Sequence, residues 1–91
     1  MPRKINGVKY SLNFLKHFSR LPRKIAEKAK DRELIFREDA FDSRLRTHKL
    51  HGKKKDVWAF WVDYVYRIKF IFLENEHILF LDIGTHDDVY R

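Results

Sequence analysis

The sequence predicts an α+β domain: a short N-terminal strand, two helices, then an antiparallel three-stranded meander, with the helices packed on one sheet face. Three observations predict it. Apolar residues recur at helical spacing through residues 12–37, the pattern changes to aromatic-rich alternation from residue 57, and the polar triplet Glu74-Asn75-Glu76 divides that second region like a turn. At 91 residues, with only three Gly, two Pro, no internal repeat and no Gly/Ser linker, residues 1–91 form a single domain.

Val8–Ser11 is the candidate first strand. Leu12–Ser19 carries Leu12, Leu15 and Phe18 at helical spacing, with Phe14 and Phe18 four apart, which predicts a short helix. Leu21-Pro22 opens a second helix, with Pro near the first turn, where its missing N–H costs nothing. Leu21, Ile25, Ala29 and Phe36 mark its buried stripe through about Arg37, and Lys24, Lys28 and Arg32 read as its solvated face. From Asp39 to Lys55 the periodicity disappears, leaving a basic connecting segment that ends in Gly52 and Lys53-Lys54-Lys55. The meander strands are Val57–Tyr64, Tyr66–Leu73 and His77–Ile83. Alternation along the middle strand turns Tyr66, Ile68, Phe70 and Phe72 to the core. It turns Arg67, Lys69 and Ile71 to an opposite face that no predicted element covers.

Composition narrows the function. Eight Phe, four Tyr and two Trp supply too much apolar surface for a disordered chain, and the absence of Cys excludes a disulfide framework and thiolate metal sites. The N-terminus has no apolar stretch of signal-peptide length, and Asp63, Arg67 and Lys69 interrupt the most hydrophobic region, so no membrane span and a cytoplasmic location are expected. The net charge of +7 favours an anionic partner. It is concentrated: residues 1–55 hold 17 Lys/Arg against 6 Asp/Glu, whereas residues 56–91 hold 3 against 7.

Three segments carry more specific information: Leu45-Arg46-Thr47-His48-Lys49-Leu50-His51-Gly52, Tyr66-Arg67-Ile68-Lys69-Phe70, and Asp82-Ile83-Gly84-Thr85-His86-Asp87-Asp88-Val89-Tyr90. In order and separation they resemble the RelE/ParE superfamily of type II toxins, nearest to its histidine-bearing, YafQ-like branch. The resemblance implies a toxin that cleaves mRNA in the ribosomal decoding site as an endoribonuclease. It also implies a cognate antitoxin protein as partner, with mRNA and ribosomal RNA as the other contacts and no cofactor.

Cleavage through the neighbouring 2′-hydroxyl needs a group to take that proton, a group to protonate the leaving 5′-oxygen, and cations on the phosphorane; no metal is required. His48 and His86 are the acid/base candidates, since imidazole titrates near neutrality. For His86 a turn or capping role is the plainer alternative. Arg67 would hold the scissile phosphate with its fork of donors, unless it is a cross-strand ion-pair member with Asp63 or Asp82. Tyr90 would stack on a base or donate its hydroxyl near the phosphate, against the alternative of an aromatic covering the core edge. Arg44, Arg46, Lys49, Lys53, Lys54, Lys55 and Lys69 are the candidate RNA-backbone contacts. Trp58 and Trp61, of opposite parity on one strand, face opposite sides, so at least one belongs to the core. His48 and His51 lack nearby further ligands for zinc, and Ser11, Ser19 and Ser43 lack a nucleophile-turn context.

The chain departs from the family pattern on its first meander strand. Val57-Trp58-Ala59-Phe60-Trp61 stands where lysine-dependent members carry lysines, and Trp61 and Val65 stand where the histidine branch has His and Asp. Two other functions fit the same fold: a non-enzymatic, ParE-like poison of DNA gyrase, and an inactive basic RNA-binding module.

Overall fold

The computed structural model describes residues 2–52 and 56–90. The elements run β1 (Gly7–Tyr10), α1 (Leu12–Phe18), α2 (Arg23–Glu38), β2 (His48–Lys49), β3 (Val57–Trp61), β4 (Tyr66–Phe72), β5 (His77–Thr85) and α3 (His86–Val89). The strands form one sheet in the order β1-β5-β4-β3-β2, parallel between β1 and β5 and antiparallel elsewhere. The expected meander is therefore its centre, extended by a strand at each edge.

Local chemistry sets the boundaries. Ser11 is not the last residue of β1 but the cap of α1: its Oγ accepts the Phe14 N–H at 3.0 Å and donates to the Leu81 carbonyl at 2.7 Å. One residue thus starts the helix and ties it to β5. Pro22 is likewise just outside α2, as its N-cap. β3 stops at Trp61, three residues before the expected end. The Asp63 carboxylate accepts the N–H groups of Val65 (2.8 Å) and Tyr66 (2.6 Å), folding residues 62–65 into a tight turn. The connecting segment is more ordered than its composition implies: Ser43–Leu45 make a 3₁₀ turn and His48–Lys49 pair with Ala59 and Trp58. A strand of two residues is too short to display alternation.

The helices α1 and α2 cover one sheet face, where Phe36 lies against Phe60, Phe70 and Phe80 with ring centroids 4.7, 4.9 and 5.6 Å apart. Ile78, Phe80 and Ile83 of β5 all reach this core although their spacing changes from two to three. The register of β5 on β4 slips at Leu81, a bulge that returns Ile83 to the core side. Arg32 is not simply solvated; its Nε donates to the Val62 carbonyl at 3.2 Å. The opposite face is not left open either. Leu50, Ala59 and Val89 form a second, smaller buried cluster there, with Val57 and Tyr90 packed against it.

Candidate active-site cleft

Arg67 is the second residue of β4, opposite Trp61 on β3 and Gly84 on β5. The alternation argument puts it on the face away from the helices, but it is not half exposed: α3 and the residues 62–65 turn close over it, leaving it 3% accessible. Its Nη1 donates to the carbonyls of Asp63 (2.7 Å), Tyr64 (2.9 Å) and Tyr66 (3.2 Å), and its guanidinium carbon is 3.9 Å from the centre of the Trp61 ring. Neither carboxylate considered as an ion-pair partner engages it. Asp63 serves the turn, and Asp82 accepts from Ile83 N–H and sits 2.6 Å from His17 Nδ1. Among the described residues Arg67 Nε has no hydrogen-bond partner despite its burial, which costs on the order of 1–3 kcal/mol unless a ligand supplies an acceptor.

His48 comes from β2. Its Nδ1 lies 2.8 Å from the Arg46 carbonyl, so Nδ1–H donates there and Nε2 is left as the acceptor, which the Tyr90 hydroxyl occupies. His86 opens α3, and its backbone N–H is anchored to the Val65 carbonyl at 3.0 Å. Capping falls to its neighbour: Thr85 and Asp88 make a reciprocal capping box, which frees the His86 ring. That ring packs edge-on against Tyr90 at 4.1 Å, with Nδ1 3.6 Å from the Asp87 carboxylate. Tyr90 packs on the Leu50–Ala59–Val89 cluster, as an aromatic covering the core edge would, and it also stands between the two imidazoles. Burial pushes its phenol pKa up, and the charge and hydrogen bond of Arg67 oppose that rise.

These four side chains line one open cleft of about 750 Å³, together with Arg46, Trp61 and Tyr64. Three distant stretches of the chain, residues 46–48, 61–67 and 86–90, meet there. The other predicted cations distribute differently. Arg46, in the left-handed region at φ 50°, lies over Trp61 at 4.7 Å and belongs to the cleft. Arg44 is instead held by Asp42 through two 2.9 Å contacts, and the same contacts depress the Asp42 pKa to about 2. Lys49 pairs with Asp56 at 2.9 Å and borders a smaller adjoining cleft with His51. Lys69 is half-buried in β4 and does not line the main cleft. Lys53, Lys54 and Lys55 lie outside the described residues. Among the described residues no three His, Asp or Glu side chains gather as a metal site would require. No helix there is long and apolar enough to cross a membrane.

Two cleft residues, Trp61 and Tyr64, are not among the sequence-predicted site residues. Strand parity could have found Trp61, which shares the Arg67 face, whereas Trp58 packs against the core. Nothing in the pattern marks Tyr64, because it belongs to a turn and not to the strand.

No family model matches the chain, and no curated protein sequence does. Solved structures do. YafQ from E. coli superposes with a TM-score of 0.71 at 20% identity, covering 92% of this chain and 97% of that one. A YoeB/ParE toxin from Agrobacterium tumefaciens gives 0.73 at 13% identity over 88% and 98%, respectively. RelE in the archaeal RelE–RelB complex from Pyrococcus horikoshii gives 0.70 at 17% identity over 86% and 91%. The five-stranded mixed sheet with α1 and α2 on one face is thus the fold of these RelE, YoeB/ParE and YafQ toxins, and this chain adopts it over nearly its whole length.

Proposed function

We propose that the chain is the toxin of a type II toxin–antitoxin pair and cleaves mRNA as a metal-independent endoribonuclease. The observation that carries this reading is the meeting of Arg67, with its buried and unpartnered Nε, and the His48–Tyr90–His86 group in one cleft. A guanidinium fixed by three backbone carbonyls at the wall of an open cleft offers a rigid positive charge to a phosphate. In the proposed reaction the 2′-oxygen attacks phosphorus as its proton passes to His48 Nε2, which becomes available when substrate displaces the Tyr90 hydroxyl. The bond from phosphorus to the 5′-oxygen breaks, and His86, at the exposed rim, protonates that oxygen. A 2′,3′-cyclic phosphate and a 5′-hydroxyl result. Arg67 stabilises the charge on the phosphorane, and Arg46 helps to hold the backbone.

Fold likeness supports the biological setting. The Pyrococcus RelE chain was solved with RelB, and we infer an antitoxin partner for this chain, bound with help from its +7 charge. The decoding site, where the message is single-stranded and surrounded by ribosomal RNA, is the proposed place of cleavage.

Brief induction followed by mapping of transcript 5′ ends tests the proposal. New ends should appear with the wild-type chain and fall by about 10²–10⁴-fold with His86→Ala, the range for loss of a positioned acid or base. Equal cutting by both chains would move the chemistry elsewhere. Intact messages together with inhibited gyrase supercoiling would replace this reading with the gyrase poison.

A further inference from the structure

The mechanism leaves unexplained the most exposed aromatic side chain of the cleft. Tyr64 is 81% accessible and stands at the wall of the cleft. Its backbone is nonetheless firmly held. The Tyr64 carbonyl accepts from Arg67 Nη1, the Asp63 carbonyl before it accepts from the same nitrogen, and the Asp63 carboxylate fixes the N–H of Val65 after it. The ring also has a neighbour: Trp61 lies 6.0 Å away at 66°, and both the Arg46 and Arg67 guanidinium groups stand over that indole.

We propose that Trp61 and Tyr64 form a nucleobase subsite, on which an unstacked base beside the scissile phosphate rests; this deepens the nuclease reading and depends on it. Three features point to a base and not to an apolar peptide side chain. The surface is aromatic with cations at its margin, and a base with its charged phosphate meets both requirements. The two rings are tilted, so one flat ligand covers the outer face of Tyr64 and does not need to wedge between them. Finally, one side chain links the two parts of the site, because Arg67 pins the Tyr64 carbonyl with Nη1 while its guanidinium lines the same cleft. A base held there would orient its own ribose toward His48. Stacking of this kind tolerates any base, so the subsite contributes grip and alignment more than sequence choice.

The test uses the full chain and a single-stranded RNA trinucleotide bearing 2′-O-methyl groups, which cannot be cut, alongside the same probe with its central base removed. The base-bearing probe should bind on the order of 10-fold more tightly and quench indole fluorescence. Tyr64→Ala should abolish that preference, Tyr64→Leu should behave like alanine, and Tyr64→Phe should preserve it. An undiminished preference in Tyr64→Ala, or none in the wild type, would overturn the subsite. If neither probe binds while induced cells still show cleavage that requires His86, the subsite fails and the nuclease stands. If no message is cut, both fall. The exposure of Tyr64 lets circular dichroism verify that each variant folds.

Discussion

The two faces of the sheet solve different problems. Under α1 and α2, Phe36, Phe60, Phe70 and Phe80 are fully buried and pack ring against ring in one aromatic cluster. Across the same strands the described residues form a small apolar cluster of Leu50, Ala59 and Val89, and beside them the Arg67 guanidinium is buried with its Nε unpartnered. The difference teaches where the stability resides: the helix face can support a costly polar arrangement on the other because the two share β3, β4 and β5. Phe36→Ala probes the first face. Removing that ring should cost about 3–5 kcal/mol, enough to leave much of a small domain unfolded at 37 °C, as read by urea denaturation. A loss below about 1 kcal/mol would mean that the aromatic cluster repacks and that stability is shared more evenly between the two faces.

A smaller change tests how tightly the second face is closed. Gly84 lies opposite Arg67 in the register, and a Cβ added there would stand 3.0 Å from the Asp88 Cβ and 3.2 Å from its Oδ2. Asp88 cannot swing aside without giving up the capping box that starts α3. Gly84→Ala should therefore cost about 1–2 kcal/mol in the same denaturation assay. It should also reduce cleavage more than stability alone explains, because α3 carries His86 and Tyr90. Unchanged cleavage would show that the helix tolerates displacement and that its exact seating is not needed.

The contrast also explains what could be read in the sequence. The helix face was legible because amphipathic spacing and strand alternation report burial against an apolar layer: Ala29 and Phe36 on α2, and Ile68 and Phe70 on β4, were placed from pattern alone. The second face was legible only in part. Arg67, His48, His86 and Tyr90 were picked out by their motifs, and they share one cleft. Burial of Arg67 was not foreseen, because it comes from a turn fixed by the Asp63 side chain and from a four-residue helix, neither of which has enough residues to show a period. The same brevity concealed β2. The assignment of Arg44 to RNA overlooked its neighbour two positions earlier, Asp42, which holds the guanidinium in a local pair. Local side-chain pairing is invisible to patterns that count charges.

Tyr90 joins the two halves of the second face, and its titration gives the subtlest test. Burial raises its phenol pKa above the ordinary value of about 10, only partly offset by Arg67. A group whose folded pKa exceeds its unfolded one holds its proton more firmly when folded. Its contribution to stability is thus complete below pH 10 and is lost as the pH rises through the folded value. Tyr10, raised by its own burial and by Glu33, acts in the same direction, so the wild-type pH curve cannot isolate either group. Comparison with Tyr90→Phe can. Between pH 9 and 11, wild type should lose more stability in urea melts than Tyr90→Phe, which has no proton to release there while keeping the ring against Val89. At neutral pH the phenol stays protonated and able to donate to His48 Nε2, whereas phenylalanine cannot, so the variant should also free that nitrogen before substrate arrives. Parallel pH curves for the two chains would mean that Tyr90 titrates as an ordinary surface phenol, and that its hold on His48 is too loose to keep the nitrogen occupied.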